Sequence, residues 1–260
     1  MNGLHSFVIC AYKDSDHLGA LIDSLLAQTI QSKILISTST PTDNLFSTAK
    51  KYDIEVCVNP VSGGIGSDWT YAYSRADTDY VTLAHQDDIY EPLYTEKVLG
   101  AYAKAKGPIL VYTNYYEIRP EGNVTGNKLL KIKSLMNSPV AAFPGSRFVR
   151  NRVFSMGCPV SCPSVAYNKK RFPGFSFDCD MKTNMDWDAW YRLARESGEF
   201  LYIRDRLLGH RIHIDSETSA GIESGARSAE DLLMFKRYWP DGIAKCLHRL
   251  YEKGLKSNYT

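Results

Sequence analysis

Tyr80-Val81-Thr82-Leu83-Ala84-His85-Gln86-Asp87-Asp88-Ile89-Tyr90 is the stretch on which the fold turns. Its first half is a β-branched, apolar run of the kind that builds a buried strand. The run stops at two adjacent carboxylates, and Glu91-Pro92 opens a new element. Two acids at the end of a core strand are costly unless a partner offsets their desolvation. Hard oxygen ligands suit Mg²⁺ or Mn²⁺. In open α/β sheets, ligands bind just beyond the carboxyl ends of the strands. The alternative is a helix cap before Pro92, with both acids in water.

Three strand–helix units precede this stretch. Phe7 to Tyr12 is the first strand, and Asp14-Ser15-Asp16 is placed to cap the helix after it. Leu18, Leu21, Ile22, Leu25 and Leu26 recur at helical spacing. Lys33 to Ser37 and Ile54 to Val58 are the next strands, the first followed by a helix to about Tyr52. Gly63-Gly64-Ile65-Gly66 leads into a helix carrying Trp69, Ala72 and Tyr73. This alternation implies an α/β fold with a doubly wound, mostly parallel mixed sheet and helices on both faces. Right-handed crossovers bring the loops at Tyr12, Ser39, Gly64 and Asp87 to one edge.

The second half is less regular. A helix from Leu93 to Ala105 precedes a strand from Ile109 to Tyr116, and Val160 to Tyr167 reads as another strand. Val124 to Arg152 shows little pattern beyond a helix around Ser146 to Phe154. Asp186 to Ser197 is a helix with Trp187, Trp190, Tyr191 and Ala194 on one face and Gly198 as its stop. Glu199 to Ile203 is a short strand, and two helices broken at Trp239-Pro240 fill Ser224 to Gly254. The expected organisation is one domain over 1–220, with halves at about 1–116 and 117–220, and a C-terminal helical extension over 221–260.

Composition narrows the partners. A net charge of +2 gives no general argument for nucleic acid. The six cysteines are scattered, and Cys158 with Cys162 matches no common zinc spacing. No window approaches ~20 apolar residues, and no secretory leader opens the chain. A reduced, cytoplasmic protein is expected.

Chemistry-bearing residues fall in three places: Asp87 with Asp88, Asp186, and His210-Arg211-Ile212-His213. Asp186 opens its helix, where the dipole favours an ionised carboxylate, and an acid beside aromatic rings suits a general base. Its alternative is an ordinary N-terminal acid, which fits Asp188 better. His213 is a candidate cation ligand and His210 a packing or hydrogen-bonding residue. The glycines at 63, 64 and 66 resemble a phosphate-cradling loop but match neither a P-loop nor a dinucleotide fingerprint.

Together these blocks resemble glycosyltransferase family 2, enzymes of the GT-A fold. Phe7-Val-Ile-Cys-Ala-Tyr-Lys with Ser24-Leu-Leu-Ala-Gln28-Thr29 is similar to the family's opening signature, and Val81 to Pro92 to its aspartate-rich metal motif. Met185 to Ala194 resembles its catalytic-base helix, and His210 to His213 its arginine-x-histidine segment. The resemblance implies inverting transfer from a nucleotide sugar to a hydroxyl. Asp87, Asp88 and His213 would hold Mn²⁺ or Mg²⁺ against the diphosphate, and Asp186 would deprotonate the acceptor. Ala11, Tyr12, Ser39, Gly64, Asp68, Gln86 and Asp87 would line the donor site, with Trp187, Cys158 and Ser161 on the acceptor side. Three departures stand out: His85 and Thr38-Ser39 replace frequent aspartates, and Met185 replaces the acid before the base. Without the usual nucleoside contact at 38–39, a UDP-sugar is the default donor.

Ala84 to Tyr90 together with Gly157-Cys-Pro-Val-Ser-Cys-Pro163 looks like transferases of bacterial surface polysaccharide assembly, whose saccharide acceptors are commonly lipid-linked. The C-terminal helix, with Leu247, Leu250, Tyr251 and Leu255 beside basic residues, either lies on a membrane surface or packs on its own core. Two other functions compete. His85, Asp88 and His213 also suit a zinc-dependent sugar N-deacetylase, although that motif normally follows a first strand. A non-catalytic sugar-nucleotide binding protein is the other.

Overall fold

The computed structural model describes residues 3–61, 63–212 and 226–259. Four parallel strands form one half of the sheet: β1 (His5–Ala11), β2 (Lys33–Thr38), β3 (Glu55–Val58) and β4 (Tyr80–His85). They lie in the order β3-β2-β1-β4, with Val8 opposite both Leu35 and Leu83. Helices α1 (Leu18–Leu26), α2 (Asp43–Lys51) and α3 (Gly64–Arg75) make the crossovers. Both sheet faces are covered, so strand residues are apolar on both sides. In β1, Phe7 and Ile9 enter the core beneath α1 and α2, while Val8 enters the core beneath α3.

After β4 come β5 (Ile89–Tyr90), α4 (Tyr94–Lys104), β6 (Pro108–Arg119) and β7 (Gly122–Val124). Next are α5 (Lys128–Ala142), α6 (Arg147–Phe154), a 3₁₀ turn at Cys162–Ser164 and β8 (Val165–Asn168). The chain continues through α7 (Met185–Leu193), β9 (Glu199–Arg211), α8 (Ala226–Tyr238) and α9 (Asp241–Tyr259). The sheet runs on from β4 as β8-β6-β9-β5, with β7 pairing β6 at the side. β8 is antiparallel to β4 and β6, so the sheet is mixed.

Four expectations change. Asp14 does not cap α1, whose first position follows His17 without a side-chain cap. Its carboxylate instead accepts from Thr42 Oγ1 at 2.6 Å and ties the β1 loop to the start of α2. Helix α5 was hidden in the sequence because it contains Pro139 and leaves Ile132 and Leu135 exposed, which erases a polar face. β9 is far longer than Glu199 to Ile203. The exposed Arg204-Asp205-Arg206 interrupts its apolar pattern, but the pairing with β6 resumes across a bulge between Thr113 and Asn114. The strand expected at Val160 begins only at Val165, after the 3₁₀ turn.

The apolar side of α9 faces inward. Tyr251 lies against Trp187 and Phe235, at ring distances of 5.9 and 5.6 Å, and Leu247 joins the same core. Gly157 has φ of 140°, and a Cβ there would lie 2.7 Å from the Tyr251 ring. Of the residues expected to meet a membrane, Leu250 is exposed and the Leu255 side chain lies outside the described residues. The expected boundary at 220/221 also lies outside them.

Arg150 of α6 is a fully buried cation without an ion-pair partner among the described residues. Its guanidinium donates to the carbonyls of Ala194 at 2.8 Å and Gly198 at 2.6 Å, and to that of Glu196. These carbonyls form the turn between α7 and β9, so α6 is riveted to the helix carrying Asp186. Arg150→Met strands those acceptors, and urea unfolding is expected to show a loss of about 3 kcal/mol.

Candidate active site

The turn after β4 is held from three sides. From α1, Ser24 Oγ accepts from the Tyr90 amide at 3.1 Å, and Gln28 donates to Glu91 O at 2.8 Å. Gln28 also accepts from the Thr95 amide at 2.9 Å, and the Thr29 amide reaches Pro92 O. The Ser-Leu-Leu-x-Gln-Thr block therefore works as a bracket for the segment after the acid pair. From the 3₁₀ turn, Pro163 O accepts the Tyr90 hydroxyl at 2.6 Å. From β9, the Arg211 guanidinium donates to Asp87 O at 2.8 Å, and the Arg211 amide donates to Asp88 Oδ1 at 2.9 Å.

Asp88 is fully buried. Its Oδ1 also meets His210 Nδ1 at 3.1 Å, while Oδ2 has no hydrogen-bond partner among the described residues. Burial by itself would lower the His210 pKa, but the Asp88 charge and hydrogen bond win and raise it. A buried carboxylate oxygen without a donor is rare enough to demand a reason. His85 shows the same condition: its ring stacks on Trp69 at 5.1 Å and its Nε2 is buried without a partner among the described residues. Burial lowers the His85 pKa, keeping the ring neutral. Among the described residues, no three His, Cys, Asp or Glu side chains gather as a closed metal site. His213, expected as a third ligand, lies outside the described residues. The donor set fits a hard cation that takes one or two carboxylates and completes its shell from phosphate and water. Among the described residues it does not present the three protein ligands typical of catalytic zinc.

The expected donor-side residues line the carboxyl edge of β1, β2 and β4. Gln86 clasps the Tyr12 backbone, accepting from its amide at 3.0 Å and donating to its carbonyl at 2.9 Å. This locks the ends of β1 and β4 together beside Ala11 and leaves the Tyr12 ring 45% exposed. Asp68 of α3 accepts from Ser39 Oγ at 2.8 Å and Asn59 Nδ2 at 2.9 Å. Asn59, unmarked in the sequence by any motif, is therefore part of the same wall. Gly64 opens α3 with φ of 79° and is exposed. Gly66 has a different purpose: a Cβ there would lie 2.4 Å from Asp178 O, so its lack of a side chain admits the loop before α7.

Asp186 stands at the start of α7, half-buried, and its Oδ1 accepts from the Trp187 amide at 2.6 Å. Burial raises its pKa, against the lowering effects of Arg227, the Trp187 amide and Lys133. Lys133 of α5 bonds Tyr115 Oη at 2.9 Å, and Tyr115 stands edge-on to His210 at 6.0 Å. One lysine thus joins the surroundings of the acid pair to those of Asp186, a juxtaposition invisible in a patternless stretch of sequence. Cys158 is half-buried near Asp186, and Ser161 is half-exposed beside the 3₁₀ turn.

Two aromatic-helix expectations are corrected. Trp187 is not on the acceptor side: it is fully buried, with its indole N–H on Phe154 O at 3.1 Å. Asp188 is no solvated N-terminal acid either. It is buried between Arg192, at 2.7 Å, and Arg237 of α8.

Helix α8 organises the N-terminus of α7. Glu230 accepts from the amides of Lys182, Thr183 and Asn184 at 2.7 to 2.9 Å and from Thr183 Oγ1. Asn184 Nδ2 donates to Asp231 at 2.7 Å. The sequence held no signal for this, because the cap and the capped helix are about 46 residues apart.

Comparison with known proteins decides the family. The glycosyl transferase family 2 model matches residues 6–171. The chain belongs to that family. An uncharacterized glycosyltransferase of Rickettsia typhi is 24% identical over 230 residues, covering 83% of this chain and 66% of that protein. Chondroitin synthase of Pasteurella multocida is 29% identical over 130 residues, covering 48% of this chain and 13% of the synthase. Among solved structures, S. aureus TarS 1-349 in complex with UDP-GlcNAc has a TM-score of 0.68 at 11% identity, covering 94% of this chain and 70% of TarS. Glucosyl-3-phosphoglycerate synthase of Mycobacterium tuberculosis, in complex with Mn²⁺ and UDP-glucose, has a TM-score of 0.60 at 16% identity, covering 91% and 80%. The fold is the GT-A fold of family 2 glycosyltransferases. With family 2 membership, the deacetylase alternative falls away.

The Glu230 cap carries a pH signature. Burial works against its ionisation, but four hydrogen bonds prevail and lower its pKa. A depressed carboxyl stabilises the fold above its unfolded pKa and loses that contribution as pH falls through the folded value. The stability gap between wild type and Glu230→Gln, measured by urea unfolding, is therefore expected to be full near neutrality and to shrink below the usual glutamate range.

Proposed function

We propose that this family 2 chain transfers a sugar from a nucleoside-diphosphate sugar to a hydroxyl acceptor, with inversion at the anomeric carbon. The observation that carries this reading is the buried Asp88 oxygen on the β4 turn, without a partner among the described residues, at the sheet edge where the donor-side residues meet. That oxygen and Asp87 are the carboxylates offered to Mn²⁺ or Mg²⁺, with His213 as the further candidate. When bound, the cation neutralises charge building on the departing diphosphate. Ala11, Tyr12, Ser39, Gly64, Asp68 and Gln86 hold the nucleoside and its phosphates. UDP is the default nucleotide, a choice supported by the UDP-sugar complexes of proteins sharing the fold.

Asp186 acts as the base. It takes the proton of the acceptor hydroxyl as the acceptor oxygen bonds to the anomeric carbon and the carbon–phosphate oxygen bond breaks. The electron pair leaves with the nucleoside diphosphate. The raised pKa of Asp186 makes it a stronger base than an ordinary aspartate. Cys158 and Ser161 border the acceptor side. A saccharide acceptor is supported by the similarity to the Pasteurella chondroitin and hyaluronan synthases, and the resemblance at 84–90 and 157–163 favours one of bacterial surface polysaccharide assembly, carried on a lipid.

The test is release of nucleoside diphosphate from a panel of nucleotide sugars with Mn²⁺. Asp186→Asn is expected to lower kcat by roughly 10²–10⁴-fold without lowering thermal stability, since it removes a charge that burial disfavours. The wild-type rate should fall with decreasing pH through a pKa above the usual aspartate value, because the base works only when ionised. A protein that only bound the nucleotide sugar would release no diphosphate, and Asp186→Asn would change nothing.

A further inference from the structure

Between Glu121 and Asp178 the chain runs 56 residues without an acid, while nine lysines and arginines fall in the same span. At the chain's average acidic content, about six acids would be expected there. This span forms β7, α5, α6, the 3₁₀ turn and β8. Several of its cations are spent inside the protein: Arg150 and Lys169 bind carbonyls, and Lys133 bonds Tyr115. The remaining ones on α5 and α6 are exposed.

The exposed positions of α5 are Lys128, Lys131, Ile132, Leu135, Pro139 and Ala142. Steps of three and four place them on a single stripe of the helix. Leu135 is 72% exposed. The stripe leads into Phe143 in the connecting turn and then α6, where Phe148 is 71% exposed and Arg152 lies over its ring at 5.6 Å. Large apolar side chains displayed this openly, on consecutive helices with cations and no acids, form the pattern of an interfacial membrane surface. Among the described acids around this face, Glu117 and Glu199 are held by Arg119 and the Lys106 amide, and the exposed Glu196 lies where its carbonyl accepts from Arg147 at 3.2 Å.

We infer that the α5–α6 face docks on an anionic lipid bilayer, with Leu135 and Phe148 entering the headgroup boundary and Lys128, Lys131, Arg147 and Arg152 meeting anionic headgroups. Charge chooses this occupant over a second copy of the chain: an isologous pairing of this face would bring the same cations together. The surface is distinct from the inward apolar side of α9. It lies on the helix whose opposite side carries Lys133, bonded to Tyr115, which stands edge-on to His210. The inference rests on this surface and not on the transfer reaction.

The test is sedimentation of the full chain with phosphatidylcholine vesicles, with and without phosphatidylglycerol. Wild type is expected to bind the anionic vesicles, to bind less at high salt, and to leave the neutral ones largely unbound. Leu135→Glu combined with Phe148→Glu should weaken that partitioning at least about tenfold while leaving the melting temperature unchanged, since both side chains are exposed. If this pair destabilises the fold, Lys128→Ser with Lys131→Ser should weaken binding in its place. No wild-type binding to anionic vesicles, or equal binding by folded variants, overturns the inference. So does equal binding to neutral vesicles. A wild-type dimer that the apolar variants dissociate, in the absence of vesicle binding, would assign the face to a second copy.

Discussion

A fully buried carboxylate with one satisfied and one unsatisfied oxygen governs this molecule. Asp88 spends Oδ1 on His210 and the Arg211 amide and keeps Oδ2 without a donor among the described residues. Leaving such a group unpaired costs on the order of 1–3 kcal/mol or more, and the fold must hold the turn rigidly to keep it so. Much of the surrounding architecture is that restraint. The end of α1 brackets residues 90–96, the 3₁₀ turn takes the Tyr90 hydroxyl, and β9 arrives with Arg211 on the Asp87 carbonyl. The length of β9 follows from the same demand, since a strand ending at Ile203 could not deliver His210 and Arg211 to the turn.

The second centre, Asp186, is held by different means. Helix α7 starts without a side-chain cap of its own, and the carboxylate of Glu230 supplies one from α8. Asp188 then ties the outer turns of both helices through Arg237. Arg150 anchors the other end of α7 through the carbonyls around Gly198. A carboxyl whose burial raises its pKa is thus placed on a helix braced at both ends, which would position the proposed proton acceptor. Lys133 and Tyr115 span the space between the two centres.

Much of this was legible in the sequence because local physics and global fold agree in the first half. Apolar strands at regular intervals, and two acids where a strand must end, permit little else. His210 was readable as a hydrogen-bonding residue, and it is one. The later half resisted for specific reasons. Pro139 and the outward Ile132 and Leu135 disguise α5, and a bulge lets charged Arg204 to Arg206 sit inside a strand. Trp187 looked like a binding-site aromatic because periodicity marks a buried face without saying what covers it; Phe235 and Tyr251 do. Asn59, Lys133 and Glu230 reach the site only through tertiary packing, so no local pattern announces them.

On the proposed function, the Asp88 turn receives a cation and a nucleoside diphosphate. Calorimetric titration of the protein with UDP, GDP and dTDP, each with and without Mn²⁺, tests it most directly. One nucleotide is expected to bind, Mn²⁺ to tighten it, and Asp88→Asn to remove the Mn²⁺ dependence in a folded protein. Binding of no nucleotide under either condition would contradict it, as would nucleotide binding equally tight with and without Mn²⁺ and unaffected by the Asp88 substitution.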